Sequence, residues 1–161
     1  MSSYPLQEAW EGDNDSVPLL PFEKLIARLK DALEDRPEVL EAYLFGSRAR
    51  GDAGTQSDVD VAVTLAREAV PEPPFGHAAK LAADLMAALG ESRVDVVVLN
   101  DASPLLYHRV LRDGVRILSR DLRATTTREG RALSRYCDYV PQLSLIDAAH
   151  SARILRGNFG R

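Results

Sequence analysis

The sequence predicts an α+β fold, in which helices pack with a sheet of about four strands and a helical tail follows. Three observations carry this. Stretches with apolar residues at helical spacing alternate with short apolar, β-prone runs, Gly and Pro punctuate the joins, and the residues after 121 form one long Arg-rich helical stretch. Residues 1–20 are polar, carry Pro5, Gly12 and Pro18 without any period, and read as a flexible arm. From Pro21, the residues Phe22, Leu25, Ile26, Leu29 and Leu33 follow i, i+3, i+4, i+7 spacing and predict a helix that ends before Pro37. Val39 to Phe45 predicts a first strand, GSRARGDAGTQSD a Gly-rich connection with a short helix, and Val59 to Leu65 a second strand.

After the Pro-rich break AVPEPPFG, the run HAAKLAADLMAALG predicts a helix closed by Gly90. Arg93 to Leu99 predicts a third strand, apolar throughout except Asp95 and therefore expected to be buried. Ser103 is placed to cap PLLYHRVLRD, Gly114 to end it, and Val115 to Leu118 to form a fourth strand. Thr126 and Glu129 have capping-box spacing ahead of the last helix, which Pro141 should kink or split. These boundaries divide the chain into an arm (1–20), a domain (21–120) and a helical extension (121–161) that packs on the domain or on a partner.

At 161 residues, 45% hydrophobic and 27% charged, the chain can bury one proper core and is neither a two-domain enzyme nor disordered as a whole. Its net charge of −4 is unevenly spread. Residues 1–106 hold 9 Lys and Arg against 19 Asp and Glu, whereas residues 107–161 hold 11 against 5, and 17 of the 20 basic residues are Arg. A single Cys137 excludes a disulfide framework and a Cys-based zinc site. With no apolar run of membrane length and an acidic N-terminus unlike a signal peptide, a cytoplasmic protein is expected.

Asp58 and Asp60 lie two apart in SDVDVAV, so on a strand both carboxylates project from one face. Taken alone they read as water-facing groups at a strand entrance, with Asp95 capping a backbone group. If the second and third strands are neighbours, however, three carboxylates converge in a manner that suits Mg²⁺ and two-metal phosphoryl or nucleotidyl transfer. Gly46 and Ser47 end the first strand at a turn whose backbone N–H groups and hydroxyl can hold phosphate oxygens, and Arg48 and Arg50 can offset phosphate charge. There is no GKS or GKT and no GxGxxG after a strand, so this is neither a P-loop nor a dinucleotide fold.

The stretch LFGSRARGDAGTQSDVDVAV resembles the signature of the DNA polymerase β-like nucleotidyltransferase superfamily: Gly-Ser, ten residues, Asp-x-Asp, then a third acidic residue on another strand. Gly46, Ser47, Asp58, Asp60 and Asp95 match all five positions. The resemblance covers roughly residues 24–118, and GSRARG in so short a chain looks most like the minimal nucleotidyltransferase (MNT) group. VLNDASPLLYHRVLRDGVRIL is similar to the segment after the third Asp in MNT antitoxins that accompany HEPN-domain ribonuclease toxins.

The resemblance implies a mixed sheet, Mg²⁺ (two ions) held by Asp58, Asp60 and Asp95, and ATP phosphates gripped by Gly46 and Ser47 with Arg48 as a further contact. Asp95 would also lie near the attacking hydroxyl and help remove its proton. The implied reaction is attack of a hydroxyl on the α-phosphorus of ATP, with pyrophosphate leaving. About forty residues after the fourth strand are too few for an acceptor-gripping domain, so an acceptor protein with its own surface fits: a tyrosine of a HEPN toxin, held in a hetero-oligomer. The alternatives are adenylylation of a small-molecule hydroxyl, aminoglycoside-like, or neutralisation by binding alone.

The tail residues Leu133, Tyr136, Tyr139, Val140, Leu143 and Ile146 read as a stripe packed on the sheet or against a partner. His77, His108 and His150 have no ligand spacing and read as surface or packing residues, and Trp10 is a lone apolar anchor in the arm. A pI near 5.4 and the lack of a stacking platform argue against direct nucleic-acid binding.

Overall fold

Two helices packed on one face of a four-stranded sheet, and two more on the other, make up the computed structural model, which describes residues 20–54, 57–66 and 73–155, with side chains to residue 145. The arm with Trp10, and the side chains of Ile146 and His150, lie outside the described residues. The elements run α1 (Phe22–Glu34), β1 (Val39–Phe45), α2 (Gly46–Arg50), β2 (Val59–Leu65), α3 (Gly76–Leu89), β3 (Val94–Val98), a 3₁₀ turn (Leu99–Asp101), α4 (Pro104–Asp113), β4 (Val115–Ser119) and α5 (Leu122–Leu155). The sheet order is β3-β2-β1-β4, with β1 antiparallel to β2 and β4, and β2 parallel to β3. The sheet is thus mixed, and α3 makes the crossover that a parallel pair requires.

Leu25, Leu29 and Leu33 of α1 and Leu81, Leu85 and Leu89 of α3 pack on one face against Leu44, Val59, Val61 and Val63. Each fully buried Leu or Val contributes about 1.5–3 kcal/mol. The opposite face carries Tyr43, Phe45 and Ala62 under α4 and α5, which add Tyr107, Val110 and Ala132. Two irregularities adjust which side chains reach which face. Leu40 is an extra residue in β1 opposite β2, so Val39 and Ala42 both join the α1/α3 core, and Ile117 is extra in β4, so Ile117 and Leu118 both join it too.

The third strand departs from the expectation of a run buried on both sides. β3 is an edge strand, and Val94 and Val96 are buried while Asp95 between them is exposed. The last helix departs in two ways. It starts at Leu122, capped by Asp121, whose carboxylate accepts the Ala124 N–H at 3.0 Å. The Thr126–Glu129 capping box is therefore not used: Thr126 lies inside the helix and donates to the Leu122 carbonyl at 2.8 Å, and Glu129 accepts from the Tyr43 hydroxyl at 2.8 Å. Nor does Pro141 split α5, which continues through it to Leu155. The Cys137 carbonyl that loses its donor there belongs to an exposed residue and so is not sealed from solvent. No helix among the described residues is long and apolar enough to cross a membrane.

Beneath α5 lies a charge with no exposure to water. Glu41 of β1 accepts from Thr64 at 2.7 Å, from Tyr107 at 3.1 Å, and from Arg128 of α5 at 2.9 and 3.1 Å. Burial alone would raise its pKa, but bonds from Arg128, Thr125 and Thr64 and the Arg128 charge outweigh that and hold the carboxyl below its ordinary 4.5. Burial and the Glu41 charge push the Tyr107 hydroxyl up to about 12, so it stays a donor.

A carboxyl with a depressed folded pKa adds stability above its unfolded value that is lost as pH falls through the folded one. Glu41→Gln should therefore flatten the loss of stability below about pH 4.5 seen in acid titrations of the wild type. Arg128→Ala, which strands the buried carboxylate, should cost about 3 kcal/mol in denaturant unfolding at pH 7. Equal stabilities of Arg128→Ala and wild type would show that the pair does not hold α5.

Candidate active site

The sheet register assembles the site. Phe45, the last residue of β1, pairs with Asp60 of β2, and Asp60 pairs with Asp95 of β3. Gly46 and Ser47 follow Phe45 directly, so the β1–α2 turn and two carboxylates line up across three strands. Side chains at paired positions of a parallel ladder share a face, which puts Asp60 and Asp95 side by side. Asp58 precedes β2, is half exposed, and stands 3.7 Å from Arg93.

The electrostatics follow from this crowding. Partial burial, then the charges of Asp95 and Asp58, raise the pKa of Asp60, and only Arg50 works in the other direction. Hard oxygen donors that repel one another are what a divalent cation neutralises, and in this respect the trio fits Mg²⁺. Among the described residues no three His, Cys, Asp or Glu side chains are already gathered tightly enough to hold an ion. Asp58 would have to turn from Arg93 to join the other two.

Gly46 is required twice over. Its φ of +75° lies in the left-handed region, and a methyl group built on it would overlap the Asp60 carboxylate. The turn therefore runs directly over the carboxylate. Ser47 is the second residue of α2, where helix N–H groups have no partner within the helix. Arg48, expected as a phosphate contact, is buried: its guanidinium reaches the Leu20 carbonyl at 3.2 Å and Glu91 at 3.3 Å, and ties α2 to the entrances of α1 and β3. Arg50, exposed and bonded to Asp52 at 3.1 Å, is the cation that Asp60 senses.

The structure also reveals residues that the motif reading passed over. Glu41, Thr64, Tyr107 and Arg128 form the buried network on the same face as Asp60, and Asn100 clamps the end of β2 by bonding both the N–H and the carbonyl of Leu65 at 2.9 Å. The signal for Glu41 was available: a lone acid in the apolar run VLEAYLF, the same anomaly that singled out Asp95. Of the tail stripe, Tyr136 stacks on His108 with ring centres 3.7 Å apart, while Leu133 and Val140 are exposed.

The model of the family described as Polymerase beta, Nucleotidyltransferase matches residues 27–123, more than half of the chain. No curated protein matches at a significant level. Among solved structures, a chain of a toxin–antitoxin with AMP-PNP is 27% identical, with 78% of this chain and 98% of that one covered and a TM-score of 0.64. A chain of the toxin–antitoxin MntA-HepT is 25% identical over 80% and 98%, with a TM-score of 0.60. A third, at 24% over 81% and 99% with a TM-score of 0.61, comes from the tri-AMPylated Shewanella oneidensis HEPN toxin in complex with MNT antitoxin and shares the fold.

A carboxyl whose pKa is raised by folding costs stability once ionised, a penalty absent at low pH that grows as pH rises above the ordinary 3.8. Asp60→Asn should therefore raise the Tm of the metal-free protein by a few degrees at pH 7, with the gain vanishing near pH 4. Mg²⁺ should raise the wild-type Tm and leave that of Asp60→Asn unchanged. A variant less stable than wild type at pH 7 would contradict the crowding of charge.

Proposed function

Because the chain belongs to the polymerase β nucleotidyltransferase family, we propose that it transfers AMP from ATP to a tyrosine hydroxyl of a cognate HEPN ribonuclease toxin, and is that toxin's antitoxin. The observation that carries this reading is the register that sets Gly46 and Ser47 beside Asp60 and Asp95 at one end of the sheet. The toxin–antitoxin complexes that share its fold, one with AMP-PNP and one with a tri-AMPylated toxin, support the choice of nucleotide and acceptor.

In this reading the turn at Gly46 and Ser47 holds the ATP phosphates with backbone N–H groups and the Ser47 hydroxyl. Gly46 brings the backbone within reach of the Asp60 carboxylate, so the phosphates lie next to the acidic group. Asp58, Asp60 and Asp95 would hold Mg²⁺, which supplies charge neutralisation for the phosphates and acidifies the acceptor hydroxyl. Asp95, on the exposed edge strand, faces the side from which an acceptor protein can approach. The acceptor oxygen forms a bond to the α-phosphorus, the bond from that phosphorus to pyrophosphate breaks, and the hydroxyl proton passes to Asp95. Arg50 offsets charge on the departing pyrophosphate.

Incubation with ATP, Mg²⁺ and a HEPN protein encoded beside it should add the mass of one or more AMP residues to that protein, at tyrosine by fragment mass spectrometry. Asp58→Asn with Asp60→Asn should slow transfer by at least about 10²-fold. Full transfer by the double variant would remove the carboxylates from the reaction, and modification only of small hydroxylated compounds would replace the toxin as acceptor.

A further inference from the structure

At the far end of β2 from Asp60, on the same face of the sheet, the 3₁₀ turn, α4 and α5 enclose a cleft of about 560 Å³. Thr64, which lines it, lies four residues beyond Asp60, or about 13 Å along a strand. Ala62 lies between them on that face and is fully buried, so the cleft does not open onto the carboxylates. Its floor is made by buried Leu99 and Tyr107 together with Thr64 and Asn100, whose polar groups are already taken up by Glu41 and by the Leu65 backbone.

Its rim is basic. Arg128, Arg131 and Arg135 fall at i, i+3 and i+7 on α5 and so share one side of the helix. Arg128 is neutralised by Glu41. Arg131 and Arg135 are exposed, and among the described residues no carboxylate pairs with either. Like charges one helical turn apart repel, and here they stand at the rim of the cleft, which Ser134 also lines. A ligand with a flat apolar body and an anionic head would fill the floor and neutralise the rim, and the volume is that of a small-molecule site.

The geometry points to a second ligand site, distinct from the carboxylate site, that takes a nucleoside monophosphate with its phosphate between Arg131 and Arg135 and its base over Leu99 and Tyr107. The two guanidiniums supply charge-assisted bonds to phosphate, and the Ser134 hydroxyl a third donor. This assignment rests on the cleft alone and is independent of the acceptor proposed above.

Calorimetric titration of the full-length protein with AMP in EDTA tests it. AMP should bind with one site per chain, equally to wild type and to Asp60→Asn, and at least about tenfold more weakly to Arg131→Ala/Arg135→Ala. Ser134→Trp, which fills the mouth without changing charge, should block binding as well. Adenosine and inorganic phosphate should each bind more weakly than AMP. The proposal is overturned by any of three results: no AMP binding in EDTA, binding lost in Asp60→Asn but kept in the double Arg variant, or phosphate binding as tightly as AMP, which would mark a simple anion site.

Discussion

A carboxylate sealed from water needs a cation, and among the described residues Glu41 finds its own on α5. That requirement organises one whole face of the sheet. Arg128 has to reach the middle of β1, so the first turns of α5 lie across the strands, Thr125 and Ala132 become buried, and Tyr107 of α4 is held by the other oxygen of the same carboxylate, the one that also accepts from Thr64. Ion pairs of this kind rarely add net stability compared with an apolar contact, because desolvation offsets the Coulomb gain. What they add is position: an apolar stripe tolerates sliding, whereas a guanidinium giving two bonds to one buried carboxylate oxygen allows one placement. The exposed apolar residues Leu133 and Val140 are consistent with this, since the helix is placed by its early polar contacts and its later turns do not have to be buried.

The other end of the same face is governed by the opposite condition. There the fold brings carboxylates together without a built-in cation strong enough to balance them, and leaves Asp60 with a raised pKa. The two acidic centres differ by what the chain supplies. Glu41 has its counter-charge from within, whereas at Asp60 only Arg50 works against the raised pKa.

Most of the fold could be read from the sequence because its signals are local: the apolar spacing in α1 and α3, Gly90 after α3, Ser103 before α4, and the β-prone runs of β1 and β2. The start of α5 was misread because Thr126 and Glu129 imitate a cap while the real one, Asp121, sits in the short link after β4. The exposure of Asp95 could not be read at all, since whether an apolar strand lies inside a sheet or at its edge depends on strand order and not on its own residues. The acidic trio and the Gly-Ser turn were legible as a spaced motif. The side-chain direction of Arg48 was not, because it turns on Glu91 and Leu20, which are remote in sequence. The Glu41 network was missed for a related reason: its partner lies 87 residues away.

The bulge at Leu40 is the last irregularity in the β1–β2 ladder before the site. From Glu41 opposite Thr64 to Phe45 opposite Asp60, the two strands advance residue for residue. This stretch of five pairs acts as a gauge between the ion pair that seats α5 and the turn that passes over Asp60. Length changes on the α1 side of Leu40 can be absorbed where the ladder already slips. One residue gained or lost within the gauge would put the ion pair and the turn over Asp60 out of step with each other.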